Sequence, residues 1–299
     1  MGNTIELITK YLPLLDKVFK AASATAILDV PSDNVEFIGA NVVKYLKLDM
    51  DGLANYDNDE GFVAGGVRAS WATLQLRMKR ARQFEIDNMD NEETLLQVFA
   101  GTVSEFIRTK VVPEVDATRF ARYASANNIL TTSGATLDST NVIAAIDTAI
   151  AAMDDAEVPS EGRIIFMTPS IYQAIKQSNA ATRIIPAGSG LNRNFESFDD
   201  MRVVKVPQSR FYTAVRLLDG SSVGQTAGGY TKTDGTGKDI NFMIVHPSAV
   251  LQITKHARSR TLPPSVNKQK DAYVFDYLIY HDAFVRENKA SGIYVHKKA

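Results

Sequence analysis

From Val35 to Pro113, two alternating apolar and polar segments flank an acidic loop and lead into an amphipathic helix pattern, and this constrains the chain more than any other stretch. The return segment, Thr73–Arg80, sets Leu74, Leu76 and Met78 on one face and Gln75, Arg77 and Lys79 on the other, the two-residue period of a half-buried strand. The outgoing segment, Val43–Met50, alternates in the same way. A two-stranded ribbon is marginal in water on its own, so its apolar face needs a surface to lie on. Only one helix stands nearby in sequence, and the missing surface can belong to another copy of the chain. The connecting loop, Asp49–Gly66, carries Asp51, Asp57, Asp59 and Glu60, while Arg77, Lys79, Arg80 and Arg82 sit on the return strand. Opposite charges at the two ends would register the hairpin against those of neighbouring copies, at about 0–1 kcal/mol per exposed pair; otherwise they form a solvated face.

After the hairpin, Asp90 is placed to cap a helix with Glu93 reaching back, a capping-box spacing whose acidic first turn suits the helix dipole. Leu95, Leu96, Phe99, Val103, Phe106 and Ile107 recur at helical steps. Pro113 is expected to end this helix or bend it at Val112, and a second helix from Glu114 to about Asn127 presents Ala117, Phe120, Ala121 and Ala124. Upstream, Ile5–Ala24 reads as an amphipathic helix interrupted at Pro13, either an arm or a helix packed on its own subunit.

From Ser139 the pattern changes to alternating helices and strands, as in a compact mixed domain. A helix follows a cap at Asp138 or Ser139, then come a strand at Arg163–Met167 and a helix at Ser170–Gln177. Strands are expected at Arg202–Val206, Phe211–Leu218 and Asn241–Val245, with Gly-rich loops at Pro186–Asn194 and Gly220–Lys238. Val250–Thr254, Ala272–Tyr280 and Gly292–His296 read as strands that close a second sheet. The mixed domain is thereby inserted between two halves of an outer one.

Composition narrows the classes. With 299 residues and 45% hydrophobic content the chain can bury a sizeable core in one or two domains. A net charge of −1 gives no whole-molecule attraction to nucleic acid. No apolar run approaches the roughly 20 residues that span a bilayer. The start, Met1–Glu6, lacks the basic opening of a secretory signal and the Ser or Thr of a myristoylation site. The absence of cysteine excludes disulfides and thiolate chemistry and suits a reducing cytoplasm.

Gly220-Ser221-Ser222-Val223-Gly224 fits the nucleophile-elbow string, and Asp276 and His281 follow in hydrolase order. The elbow must open a helix, however, and Gln225–Tyr230 is too rich in glycine to begin one. His246, His256, His281 and His296 show no metal-ligand spacing. The acidic strings Asp49–Gly52 and Asp57–Glu60 lack the calcium-loop pattern. Gly235–Asp239 has Lys232 where a phosphate loop needs its first Gly, and Gly188-Ser189-Gly190 reaches Arg193 where a dinucleotide fingerprint needs its third. Arg202, Lys205, Arg210, Phe211, Tyr212 and Arg216 are balanced by Asp199 and Asp200 and read as a solvated face, with weak contact to a phosphate backbone as the alternative.

The string Arg82-Gln83-Phe84-Glu85-Ile86-Asp87-Asn88-Met89-Asp90-Asn91-Glu92-Glu93-Thr94, continued at Pro113–Arg119, resembles the strand-to-helix junction of tailed-bacteriophage major capsid proteins. Tyr11, Asp16, Phe19, Ser23 and Thr25 extend the resemblance at the start; Tyr280–Val285, Lys289, Gly292, Ile293 and Tyr294 extend it at the end. It is weakest over Thr131–Asn241, and order and spacing carry it rather than any one string. The resemblance implies an α+β, Hong Kong-97-like phage capsid fold. Its parts would be an N-terminal arm (1–34), an extended hairpin loop (35–89), a peripheral domain with a long spine helix (90–130), an inserted axial domain (131–245) and peripheral return strands (246–299). It also implies a structural protein without catalytic, cofactor-binding or metal-binding residues. Such a protein self-assembles into pentamers and hexamers of an icosahedral shell around double-stranded DNA, with a portal at one vertex, nonspecific contact with the DNA, and cement or decoration proteins as further partners. No membrane is involved; the chain would be made in the host bacterial cytoplasm and end in the virion. The chain starts about a helix before the hairpin, so a separate scaffolding protein or none is expected. Two rivals are an encapsulin-like nanocompartment shell and a serine hydrolase using Ser222.

Overall fold

The computed structural model describes residues 22–29, 35–38, 42–56, 63–87, 103–134, 136–178, 197–262, 267 and 270–298. The expected helix cap at Asp90 with Leu95–Phe99, the loop Pro186–Asn194 and nearly all of the expected helix at Ile5–Ala24 lie outside them.

The hairpin forms as its alternation demands. Strand β1 (Val35–Ile38) pairs antiparallel with β2 (Val42–Met50), and β2 with β3 (Val67–Gln75), giving a three-stranded sheet. The return strand is not continuous. It breaks at Leu76–Arg77, and β4 (Met78–Asp87) leaves the hairpin to join a second sheet of order β12-β13-β4, with β12 at Val250–Leu262 and β13 at Ala272–Val285. Strict alternation across the break hid it, because Leu74, Leu76 and Met78 stay in phase while their pairing partners change.

The helix that follows passes through Pro113 instead of ending there. Residues 103–106 are helical, Ile107–Val111 is a π-helical turn, and α1 (Val112–Ala124) continues with Pro113 in its first turn. The wider turn gives room for the proline ring, which otherwise clashes with a carbonyl one turn back and leaves it without a donor. The rod therefore spans both sheets. Its first half packs Val103, Ile107, Val111 and Val115 on Phe275, Tyr277 and Ile279 of β13; its second half carries Phe120 and Tyr123 into a different core.

That core belongs to a six-stranded sheet of order β5-β14-β11-β6-β8-β7. Its strands are β5 (Leu130–Ser133), β6 (Ile164–Met167), β7 (Ser197–Phe198), β8 (Met201–Lys205), β11 (Ile240–Val245) and β14 (Ile293–Lys297). Helices α2 (Val142–Asp155) and α3 (Pro169–Gln177) cover one face through Ile146, Met153, Ile171 and Ile175, while Leu28, Phe120 and Tyr123 cover the other. Central strands covered on both faces read as unbroken apolar runs, as Ile164–Met167 does. The same reason corrects the expectation for Gly292–His296. β14 does not close the second sheet but pairs with β11 and β5, where residues 293–296 are all buried. A small hairpin of β9 (Val215–Leu217) and β10 (Tyr230–Lys232) takes up part of the expected strand Phe211–Leu218 and of the loop after it. Phe211, expected in that strand, is a fully buried plug edge-on to Phe120 at 4.9 Å.

Candidate assembly surfaces

The hairpin changes its apolar face halfway along. Directly opposed residues of an antiparallel pair share a face, and near the base Val43 opposes Leu74 and Tyr45 opposes Ala72. This face lies on the chain's own body, where Val43, Leu74 and Leu76 pack with Leu251, Ile253, Tyr280 and Phe284. Lys47 on the same face forms an ion pair with Glu287 at 3.2 Å. Further out the apolar pairs sit on the other face, with Leu46 opposite Trp71 and Met50 opposite Val67. Trp71 is 49% exposed, Met50 68% and Val67 70%. Beyond them Leu53, Tyr56 and Val63 are exposed as well. Among the described residues every large apolar side chain that is exposed, Val223 apart, lies between Leu46 and Trp71. Solvent-facing apolar surface concentrated this way marks a contact surface, whereas scattered single residues would need no explanation.

The joint between the hairpin and the body is built from β13. At the strand break, Arg77 N–H donates to the Asp282 carboxylate at 3.0 Å, and the Tyr280 hydroxyl donates to the Leu76 carbonyl at 3.1 Å. Two side chains thus take up backbone groups that have left one ladder and not yet entered the next. Asp282 is buried and also faces Arg122 at 3.4 Å.

A second buried carboxylate ties the incoming chain down. Asp116 on α1 accepts from Ser23 Oγ at 2.7 Å, Ala24 N–H at 3.0 Å and Thr25 Oγ at 2.8 Å, and faces the Arg210 guanidinium at 3.3 Å. Arg119, one turn on, donates to Thr25 Oγ at 2.9 Å. Ser23, Thr25, Asp116 and Arg119, all within the stretches that carry the resemblance, are brought together in one cluster. In the sequence, the only signal was an acidic residue on an otherwise apolar helical face. Beside them on β13, His281 is 1% exposed, and burial together with the positive Arg119 and Arg80 drives its pKa down to about 3.

The residues of the hydrolase reading are not assembled. Ser222 hydrogen-bonds through its hydroxyl to Asp219, which is held at a pKa of about 2 by that bond and by the Ser221 and Ser222 amides. Asp276 is engaged by Arg260 at 2.8 Å and by Gln83, and His281 lies beneath α1. The stretch after Ser222 forms turns and opens no helix. Among the described residues no group of three or more His, Asp or Glu is placed to hold a metal ion. The basic set is also split, since Arg210 is drawn to Asp116, Phe211 is core and Lys205 lies 4.7 Å over the Tyr172 ring. No helix among the described residues is long and apolar enough to cross a membrane.

No protein-family model matches the sequence, and no curated protein matches it. Solved structures do match. The capsid structure of cyanophage P-SCSP1u is 12% identical, with 88% of this chain and 85% of that chain covered at a TM-score of 0.57. The mature capsid of bacteriophage PhiM1 is 13% identical over 87% and 82% of the two chains, with a TM-score of 0.55. A virus-like particle from Pyrococcus furiosus is 12% identical over 97% and 99%, also at 0.55. At such identities the likeness speaks for architecture alone: the mixed α+β architecture built above is similar to that of the two phage capsid structures and of the virus-like particle.

Proposed function

We propose that this protein is the major capsid protein of a tailed bacteriophage and forms the icosahedral shell around its double-stranded DNA. One observation carries the reading: the outer half of the hairpin turns an apolar face away from the body that supports it, and the described residues leave Leu46, Met50, Val67 and Trp71 exposed there. A face of that kind is satisfied by another copy. Head-to-tail contacts between identical copies close into rings, here the pentamers and hexamers of a shell. On this reading residues 1–34 are an arm, 35–89 the extended loop, 90–130 and 246–299 the peripheral domain and 131–245 the axial domain. β14 reaches across into the axial sheet, so the two domains share a core. Scaffolding, portal and decoration proteins are its partners, DNA contact is nonspecific, and the protein has no active site.

A second reading is favoured by the near end-to-end match to the Pyrococcus furiosus virus-like particle, 97% of this chain and 99% of that one: a nanocompartment shell around protein cargo. Electron microscopy and nuclease treatment of shells purified from the native host separate the two. Nuclease-resistant double-stranded DNA inside supports the phage capsid; uniform DNA-free shells support the nanocompartment; a monomer at every concentration refutes both.

A further inference from the structure

The β9–β10 hairpin comes from the chain between β8 and β11, two strands of the six-stranded sheet, yet its far end is fastened to the second sheet. Among the described residues it pairs with no other strand. A two-stranded ribbon is marginal alone, so its order depends on what grips it. The strands themselves are held by their own surroundings, with Lys232 meeting Asp239 at 3.0 Å and the Tyr230 hydroxyl donating to the Ser209 carbonyl at 2.8 Å. The loop joining them, Asp219–Gly229, is different. None of its residues is buried, and Val223 near its middle is fully exposed. It has turns of its own, in which Gly228 N–H donates to the Gln225 carbonyl, Gln225 N–H to the Ser222 carbonyl, and the Ser221 and Ser222 amides to Asp219. Apart from bonds inside the β9–β10 hairpin, the hydrogen bonds that reach this loop among the described residues come from β4. Arg82 donates to the Thr226 carbonyl at 3.3 Å and Arg80 to the Gly229 carbonyl at 3.2 Å.

Arg82 sits where two glycines leave room for it. Gly220 and Gly228 have φ of +78° and +66°, and a Cβ on them would stand 3.0 Å and 3.7 Å from Arg82 Nη1. Arg80 is steadied from the other side by Glu114 in the first turn of α1, at 2.6 Å. Bonds from a guanidinium are stronger than neutral ones, but a segment without buried side chains opens far more readily than the body that carries it. We propose that Asp219–Gly229 is a strap that opens and closes on β4 as one unit, with Arg82 as its catch. Closed, it ties β4, the strand through which the long hairpin enters the body, to the side of the molecule built on the six-stranded sheet. Open, it removes that tie while both sheets stay folded. The fastening lies within one chain and needs no second copy.

Hydrogen exchange of the full-length protein, read by mass spectrometry with electron-transfer fragmentation, tests this. In the wild type the Gln225 and Gly228 amides should exchange together, at a rate that low urea leaves unchanged, as a local opening requires. Arg82 is exposed, so truncating it spares the body. Arg82→Ala should speed both amides at least tenfold and leave unchanged those of β13 and of Thr233, which donates to the Ala214 carbonyl at the hairpin base. Arg82→Lys keeps the charge without the planar fork and should fall between. Gly220→Ala should also speed the strap, and by less in an Arg82→Ala background, where the clash with the guanidinium is gone. Unchanged exchange in Arg82→Ala overturns the proposal, as does a speed-up that spreads into β13, which would make the arginine a support of the whole fold. Strap amides that exchange like an unstructured peptide in the wild type also overturn it, because the strap would then never be shut.

Discussion

Trp71 is the only tryptophan in the chain and lies on the outer face of the hairpin, so it both contributes to the proposed contact and reports on it. It is 49% exposed. On an aromatic side-chain area of roughly 250 Å² that leaves about 120 Å², which at about 25 cal/mol per Å² amounts to about 3 kcal/mol once covered. A Trp71→Ser substitution should therefore weaken each hairpin contact by about 3 kcal/mol, roughly a hundredfold in association constant. The monomer should change by about 0.5 kcal/mol or less, because Trp71 belongs to none of the buried clusters. The assay is a dilution series followed by size-exclusion chromatography, with tryptophan emission recorded on the wild type at each step. Emission should move to shorter wavelength as copies associate, and the variant should assemble only at far higher concentration. Emission of a water-exposed indole in fully assembled wild-type shells would refute the argument, as would assembly of Trp71→Ser at wild-type concentrations.

Asp116→Ala removes a buried acceptor of several donors and leaves Arg210 without its partner, so the monomer should lose about 3–5 kcal/mol in urea unfolding; Asp116→Asn should lose less. His281 has a folded pKa of about 3 against 6.5 unfolded, so the unfolded chain binds the extra proton between those values. Stability is then full above about pH 6.5 and falls as pH drops toward 3, by about 5 kcal/mol in all, of which about 3 kcal/mol falls between pH 7 and pH 4, and a His281→Phe variant measured at those two pH values should lose that part of the dependence. Asp282→Ala takes the acceptor from Arg77 N–H, and hydrogen exchange at that amide should speed up at least tenfold while the amides of α2 keep their protection. A Cβ on Gly292 would stand 2.8 Å from Ala249 Cβ, so Gly292→Ala should cost about 1–3 kcal/mol in thermal unfolding.

The amino-acid sequence alone determined those elements whose signal is local. Side-chain alternation from Val43 and from Thr73 required a hairpin, helical spacing from Val142 to Met153 required α2, and the apolar run Ile164–Met167 required a strand covered on both faces. It also determined the acidic tip and the basic base of the hairpin, because charge is composition. Only the tertiary structure decided which partner each element meets. The break at Leu76–Arg77 depends on the distant Asp282 and Tyr280, and the place of β14 depends on its pairing with β11 and β5. The passage of α1 through Pro113 depends on a π-helical turn that no residue pattern announces. Even the two faces of the hairpin follow this division: alternation states that a strand has an apolar side, but only the sheet beneath it fixes which apolar pairs it covers and which it leaves for another copy.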